Sequence, residues 1–110
     1  MNESFSFAKR CLRLWNFTIS HGMAMFMSPR DDEHDTRLMV LFPAVSYFSC
    51  PTDFTCSGVN VEPLVDGSFR YRFLDAEGDY FLIALNMTHE VDGLEHSAPT
   101  LFDRAFSAAA

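Results

Sequence analysis

The 110 residues contain no apolar stretch of the roughly 20 residues that a membrane-crossing helix requires. The first residues also lack the unbroken apolar run and small-residue cleavage site of a secretory signal. Positive charge is scarce, with eight Lys and Arg against fifteen Asp and Glu and a formal net charge of −7. Neutralising phosphates supplies most of the affinity for a polyanion, so nucleic acid and anionic membrane are disfavoured as partners, while a basic protein is compatible. Cysteine is limited to Cys11, Cys50 and Cys56, an odd set that cannot pair completely within one chain. The expectation is a reduced, cytoplasmic protein, with Cys50–Cys56 as the one bridge left open.

Catalytic signatures are missing as well. There is no GxSxG, no glycine-rich phosphate cradle and no CxxC pair, and His89-Glu90 with His96 does not have the spacing of HExxH. No cofactor and no metal are expected, and an enzyme is not. The acidic run Asp31-Asp32-Glu33-His34-Asp35 is dense in oxygen ligands but lacks the glycine and glutamate spacing of a calcium loop, so it reads as a solvated turn.

What the chain does have is apolar material: 48% hydrophobic residues, including twelve Phe, three Tyr and one Trp. That suffices for a core in a single domain covering residues 1–110. From Trp15 to Met27 one parity carries Trp15, Phe17, Ile19, Met23, Met25 and Met27, interrupted only by His21. Alternation of this kind predicts one long strand over 15–27, or two collinear strands hinged at Gly22. Residues 37–49 are apolar on both parities, which predicts strands covered on both faces and split near Pro43.

Two glycine-bearing loops then organise a meander of strands 59–64, 68–75 and 79–87. A three-residue loop Val65-Asp66-Gly67 sets Glu62 opposite Arg70 and aligns Val61 with Tyr71. A second such loop, Ala76-Glu77-Gly78, pairs Tyr71 with Ile83 and Phe69 with Leu85. The segments 50–58 and 88–98 read as loops. Thr100-Leu-Phe-Asp reads as a capping box opening a short C-terminal helix, and residues 1–14 lean to a short N-terminal helix over an alternating strand that breaks at Lys9. The expected fold is mainly β, an antiparallel sheet or sandwich of five to six strands, with the 15–27 and 37–49 strands in its middle.

His21 is the conspicuous polar member of an apolar row, and a lone histidine there is more often hydrogen-bonded core than ligand. FRYRF, Phe69 to Phe73, sets Arg beside aromatics, but its aromatic parity matches that of Val61 and belongs inside. The order of a long strand carrying Trp15 and His21, an acidic loop, LMVLFPAVSYF and hairpins resembles, in pattern over residues 15–90, small all-β bacterial proteins of the toxin-immunity or uncharacterised type. No functional residue carries over from that likeness. The first functional expectation is a small acidic binding or regulatory protein acting through protein–protein contact, immunity- or inhibitor-like, with a basic partner and homo-oligomers as its associations. The alternative is a small-molecule-binding β-domain whose apolar pocket is lined by Met23, Met25, Phe69 and Tyr71 with His21 as polar anchor.

Overall fold

A computed structural model describes residues 3–18 and 22–104. Among these, eight strands form one antiparallel sheet: β1 (Glu3–Thr18), β2 (Met23–Ser28), β3 (Arg37–Phe42), β4 (Tyr47–Ser49), β5 (Asp53–Pro63), β6 (Phe69–Leu74), β7 (Phe81–Ala84) and β8 (Thr88–Asp92). Their order across the sheet is β4-β7-β6-β5-β1-β2-β3-β8. A short helix, α1 (101–104), follows. The mainly β, antiparallel expectation therefore holds, with eight strands in place of five or six.

The sheet curls strongly on itself. Phe42 of β3 and Tyr71 of β6 are separated by three intervening strands, yet their rings lie 5.2 Å apart. The concave face is filled by aromatics that meet mostly edge to face, with Phe26, Phe42, Phe54 and Phe73 at its centre. Edge-to-face packing matches the positive ring edge to the negative ring face, so these contacts add to the hydrophobic gain of burial.

The alternating row from Trp15 to Met27 is not one strand. β1 and β2 form an antiparallel hairpin with Phe17 opposite Ala24 and Thr18 opposite Met23, so the chain reverses where collinear continuation was expected. Gly22 takes φ +59 beside the reversal, a conformation that glycine adopts without a Cβ clash. Trp15 is the extra residue of a bulge between Leu14 and Asn16. The bulge shifts parity: Trp15 packs with the methionines, but Phe17, two residues on, leaves that row and lies opposite Ala24 on the concave side with Leu14 and Phe48.

The N-terminal residues are strand, not helix. Their two competing periods have a single cause: a register shift between Ser6 and Arg10. Phe5 before it and Phe7 within it pack against the concave core, as do Leu12 and Leu14 after it. Opposite this corner sits Gly58, whose missing Cβ would lie 2.5 Å from the Phe5 carbonyl oxygen.

The first hairpin loop behaves as the register argument requires. Glu62 pairs with Arg70 and Val61 with Tyr71, Gly67 has φ +91, and the Leu64 N–H donates to the Ser68 carbonyl. The second does not. Tyr71 faces Leu82 and Phe69 faces Ala84, one residue away from the expected pairing with Ile83 and Leu85. The left-handed residue is Asp75, at φ +56, in place of Gly78, and the Phe73 N–H closes the loop on the Tyr80 carbonyl. Asp75 accepts a hydrogen bond from the Ser57 hydroxyl, which anchors that conformation. In consequence Leu82 and Ala84 are buried and Leu85 is exposed. Phe81 turns outward under the guanidinium groups of Arg70 and Arg72, 5.5 and 5.9 Å from its ring centroid.

Two segments expected as loops are partly strand. Residues from Asp53 onward extend β5, and Thr88–Asp92 pair with β3 as β8. The 37–49 run does split near Pro43, but its halves separate widely: β3 is next to one end of the sheet and β4 forms the other. Ala44 at φ +55 lies in the connection.

β2 and β3 are buried along their whole length. Their convex side carries Met23, Met25, Met27, Met39 and Leu41, covered by Trp15 and by Leu101 and Phe102 of α1. The cover is fixed by polar bonds. Arg37, fully buried, donates to both carboxylate oxygens of Asp92 at 2.8 and 3.1 Å, to the Ala98 carbonyl at 3.0 Å and to the Pro99 carbonyl at 2.7 Å. Thr100 and Asp103 form the expected reciprocal cap, each backbone N–H donating to the other's side chain.

Candidate functional site

Site geometry concentrates around Arg10. It lies just past the β1 register shift, on the concave parity with Leu12, and is only 7% exposed. Its Nε donates to the Ser28 hydroxyl at 2.9 Å, and its terminal nitrogens reach the Ser28 carbonyl, the Thr36 hydroxyl and the Thr36 carbonyl at 3.3, 3.2 and 2.5 Å. Ser28 ends β2 and Thr36 precedes β3, so one guanidinium clamps both stems of the acidic loop. Arg10 makes no ion pair among the described residues. Burial holds its pKa below the ordinary arginine value, opposed by the charge of Asp31.

The loop tip is organised from within. One Asp31 carboxylate oxygen accepts from the backbone N–H groups of Glu33 and His34 at 2.8 and 2.7 Å and lies 3.1 Å from the His34 ring Nδ1. The Asp31 N–H donates to the His34 carbonyl at 2.9 Å. Partial desolvation pushes the Asp31 pKa up, but these hydrogen bonds outweigh it and hold the carboxyl below its usual range. With Asp31 spent on the turn, Asp32, Glu33 and Asp35 remain exposed, and their carboxylates make no ion pair among the described residues. Between this loop and the sheet lies a cleft of about 550 Å³, with Lys9, Arg10, Cys11 and Thr55 on one wall and residues 31–34 on the other.

A second concavity is apolar. Its volume is about 300 Å³, and it is lined by Leu14, Phe17, Phe26, Phe48, Cys50, Pro51 and Thr52. It exists because the curl brings β4, at one end of the sheet, over the β1–β2 hairpin, with the Phe17 and Phe48 rings 5.5 Å apart and nearly perpendicular. The Leu14 N–H donates to the Thr52 carbonyl at 2.7 Å and pins the wall. All three cysteines are free thiols, and burial pushes the pKa of Cys50 and of Cys56 up to about 11.

The residues singled out as a pocket do not converge. Met23 and Met25 are buried under α1 on the convex side, whereas Tyr71 belongs to the concave core and Phe69 packs against it. His21 falls outside the described residues. Phe69 and Tyr71 share a small recess of about 190 Å³ with Glu3, Val61, Asn86 and Met87. FRYRF has its aromatics on the concave parity and its arginines outside, Arg70 paired with Glu62 at 2.6 Å and Arg72 with Asp79 at 2.9 Å. Among the described residues no group of three or more His, Cys, Asp or Glu is placed to hold a metal ion, and no helix is long and apolar enough to cross a membrane.

Arg10 escaped the sequence reading because a cation at a bulge has no periodic signature. The ambiguity around Lys9 was the available signal, since a parity break in an alternating run marks a bulge. Phe48 and Cys50 were hidden by the sheet's curl, which brings together strands that are remote in ladder order. Comparison with protein-family models, with curated proteins and with solved structures gives no match.

Proposed function

We propose that this chain is a non-enzymatic binding domain that acts through protein–protein contact, with the acidic loop as its recognition element and a basic surface as its target. The observation that carries this reading is the double fixation of the loop. Arg10 ties both stems from inside the sheet, and Asp31 locks the tip while its neighbours Asp32, Glu33 and Asp35 stay exposed. A loop ordered before the encounter loses less conformational entropy on binding. In a chain of net charge −7, exposed carboxylates also steer a cationic partner toward that loop and raise its association rate.

The test uses affinity capture from host cells with three baits: the wild-type chain, the triple variant Asp32→Asn, Glu33→Gln, Asp35→Asn, and Arg10→Gln. The expected result is a basic protein held by wild type, released by salt and lost by the triple variant. Arg10→Gln separates two causes. Removing a cation makes the local field more negative, so charge alone predicts tighter capture, whereas loss of the clamp predicts weaker capture. Identical capture by wild type and the triple variant refutes the proposal, and tighter capture by Arg10→Gln refutes the role of preorganisation.

A further inference from the structure

The concavity under β4 has walls that specify an occupant of a different kind. Leu14, Phe17 and Phe48 line it above the fully buried Phe26, and among the described residues no charged side chain does. Phe17 is 46% exposed although its ring meets Phe48 edge-on. An aromatic half in water on the wall of a concavity is apolar surface that a ligand would remove from solvent. Cys50 is half-buried there, and desolvation raises its pKa to about 11, so near neutral pH it presents a neutral thiol to the wall. Thr52 is the one hydroxyl-bearing residue of the lining.

A dry apolar cavity of roughly 150 Å³ takes one benzene ring. Twice that volume admits a fused two-ring aromatic or a chain of about eight carbons. A carboxylate or phosphate of the same size would shed its hydration with no cation among the described lining residues to replace it. We propose that this pocket is a binding site for a neutral, largely apolar small molecule of two-ring or eight-carbon size, carrying at most one hydrogen-bonding group directed at Thr52. The proposal does not draw on the acidic loop and stands apart from the protein-contact reading.

Cys50 makes the site directly testable in the full chain. The alkylation rates of Cys50 and Cys11 with N-ethylmaleimide are measured by peptide mass spectrometry at mildly alkaline pH, with indole, 1-octanol or octanoate as probe. Occupation by indole or octanol is expected to slow Cys50 by the factor one plus probe concentration over Kd, while exposed Cys11 reacts at its unliganded rate. Octanoate is expected to give no protection. Phe17→Ser, which removes one wall, should weaken the protecting affinity about tenfold. Absence of protection by both neutral probes, equal slowing of Cys11, or protection by octanoate matching that by octanol overturns the proposal. Full protection retained in a folded Phe17→Ser variant overturns it too. The wild-type comparison alone decides the matter if that variant does not fold.

Discussion

Removing the Arg37 side chain tests whether the segment after β8 is held by polar bonds or by apolar contact. In Arg37→Leu the apolar volume at the end of β3 is largely kept, but both bonds to Asp92 and those to the Ala98 and Pro99 carbonyls disappear. Breaking a buried pair by removing one partner costs about 3–5 kcal/mol, because the other charge stays behind with poorer solvation. The Asp92 side chain is 19% exposed and regains some water, which places the expected loss near the lower end, about 3 kcal/mol. For a domain of this size that lowers Tm by about 12 °C or more. Urea unfolding followed by circular dichroism gives the global loss. Trp15, the chain's one tryptophan, packs on the same methionine cluster as Leu101 and Phe102 of α1 and reports locally on the cover. The expected variant shows a changed Trp15 emission at urea concentrations where the sheet signal is still native. A loss under about 1 kcal/mol, with both probes coincident, would refute the assignment of this arginine as the clasp.

Two glycines should answer substitution differently. Gly58→Ala drives a Cβ to within 2.5 Å of the Phe5 carbonyl oxygen, which is backbone, and should cost about 3 kcal/mol or more by equilibrium unfolding. Gly67→Ala meets nothing within 4 Å and should cost only the left-handed penalty, about 1–2 kcal/mol; equal losses at the two sites would contradict this account. Acid should also destabilise the fold. Asp92 is held below its ordinary pKa chiefly by the Arg37 hydrogen bonds, and Asp66 by those from the Ser68 hydroxyl and N–H. A carboxyl depressed in the folded state contributes stability that is complete above its unfolded pKa and vanishes as pH falls through the folded one. Tm should therefore be flat down to about pH 5 and decline below about pH 4, and a Tm constant through that window would be the contrary result.

Where the sequence reading succeeded and where it failed has one physical explanation, which is that alternation reports faces and not direction. Val61 opposite Tyr71 was legible because Gly67 fixes a loop length and the loop fixes the register. The next register is off by one residue because Asp75, steadied by Ser57 from another strand, takes the left-handed position expected of Gly78. A tertiary hydrogen bond of that kind leaves no local trace. The reversal near Gly22 was equally silent, since the parity of the sequence runs unbroken from Trp15 to Met27 although the Trp15 bulge turns Phe17 to the opposite face from Trp15 and the methionines. The same limit applies to the sites. The acidic loop could be read as exposed, but its rigidity comes from Arg10, eighteen residues upstream of Ser28 and displaced onto the concave side by a bulge. The apolar pocket needs the curl that sets Phe48 against Phe17. Each bulge reverses which residues face inward, so the bulges of β1 decide both sites: one aims Arg10 at the loop stems, and the other aims Trp15 at the methionines and leaves Leu14 and Phe17 to the pocket.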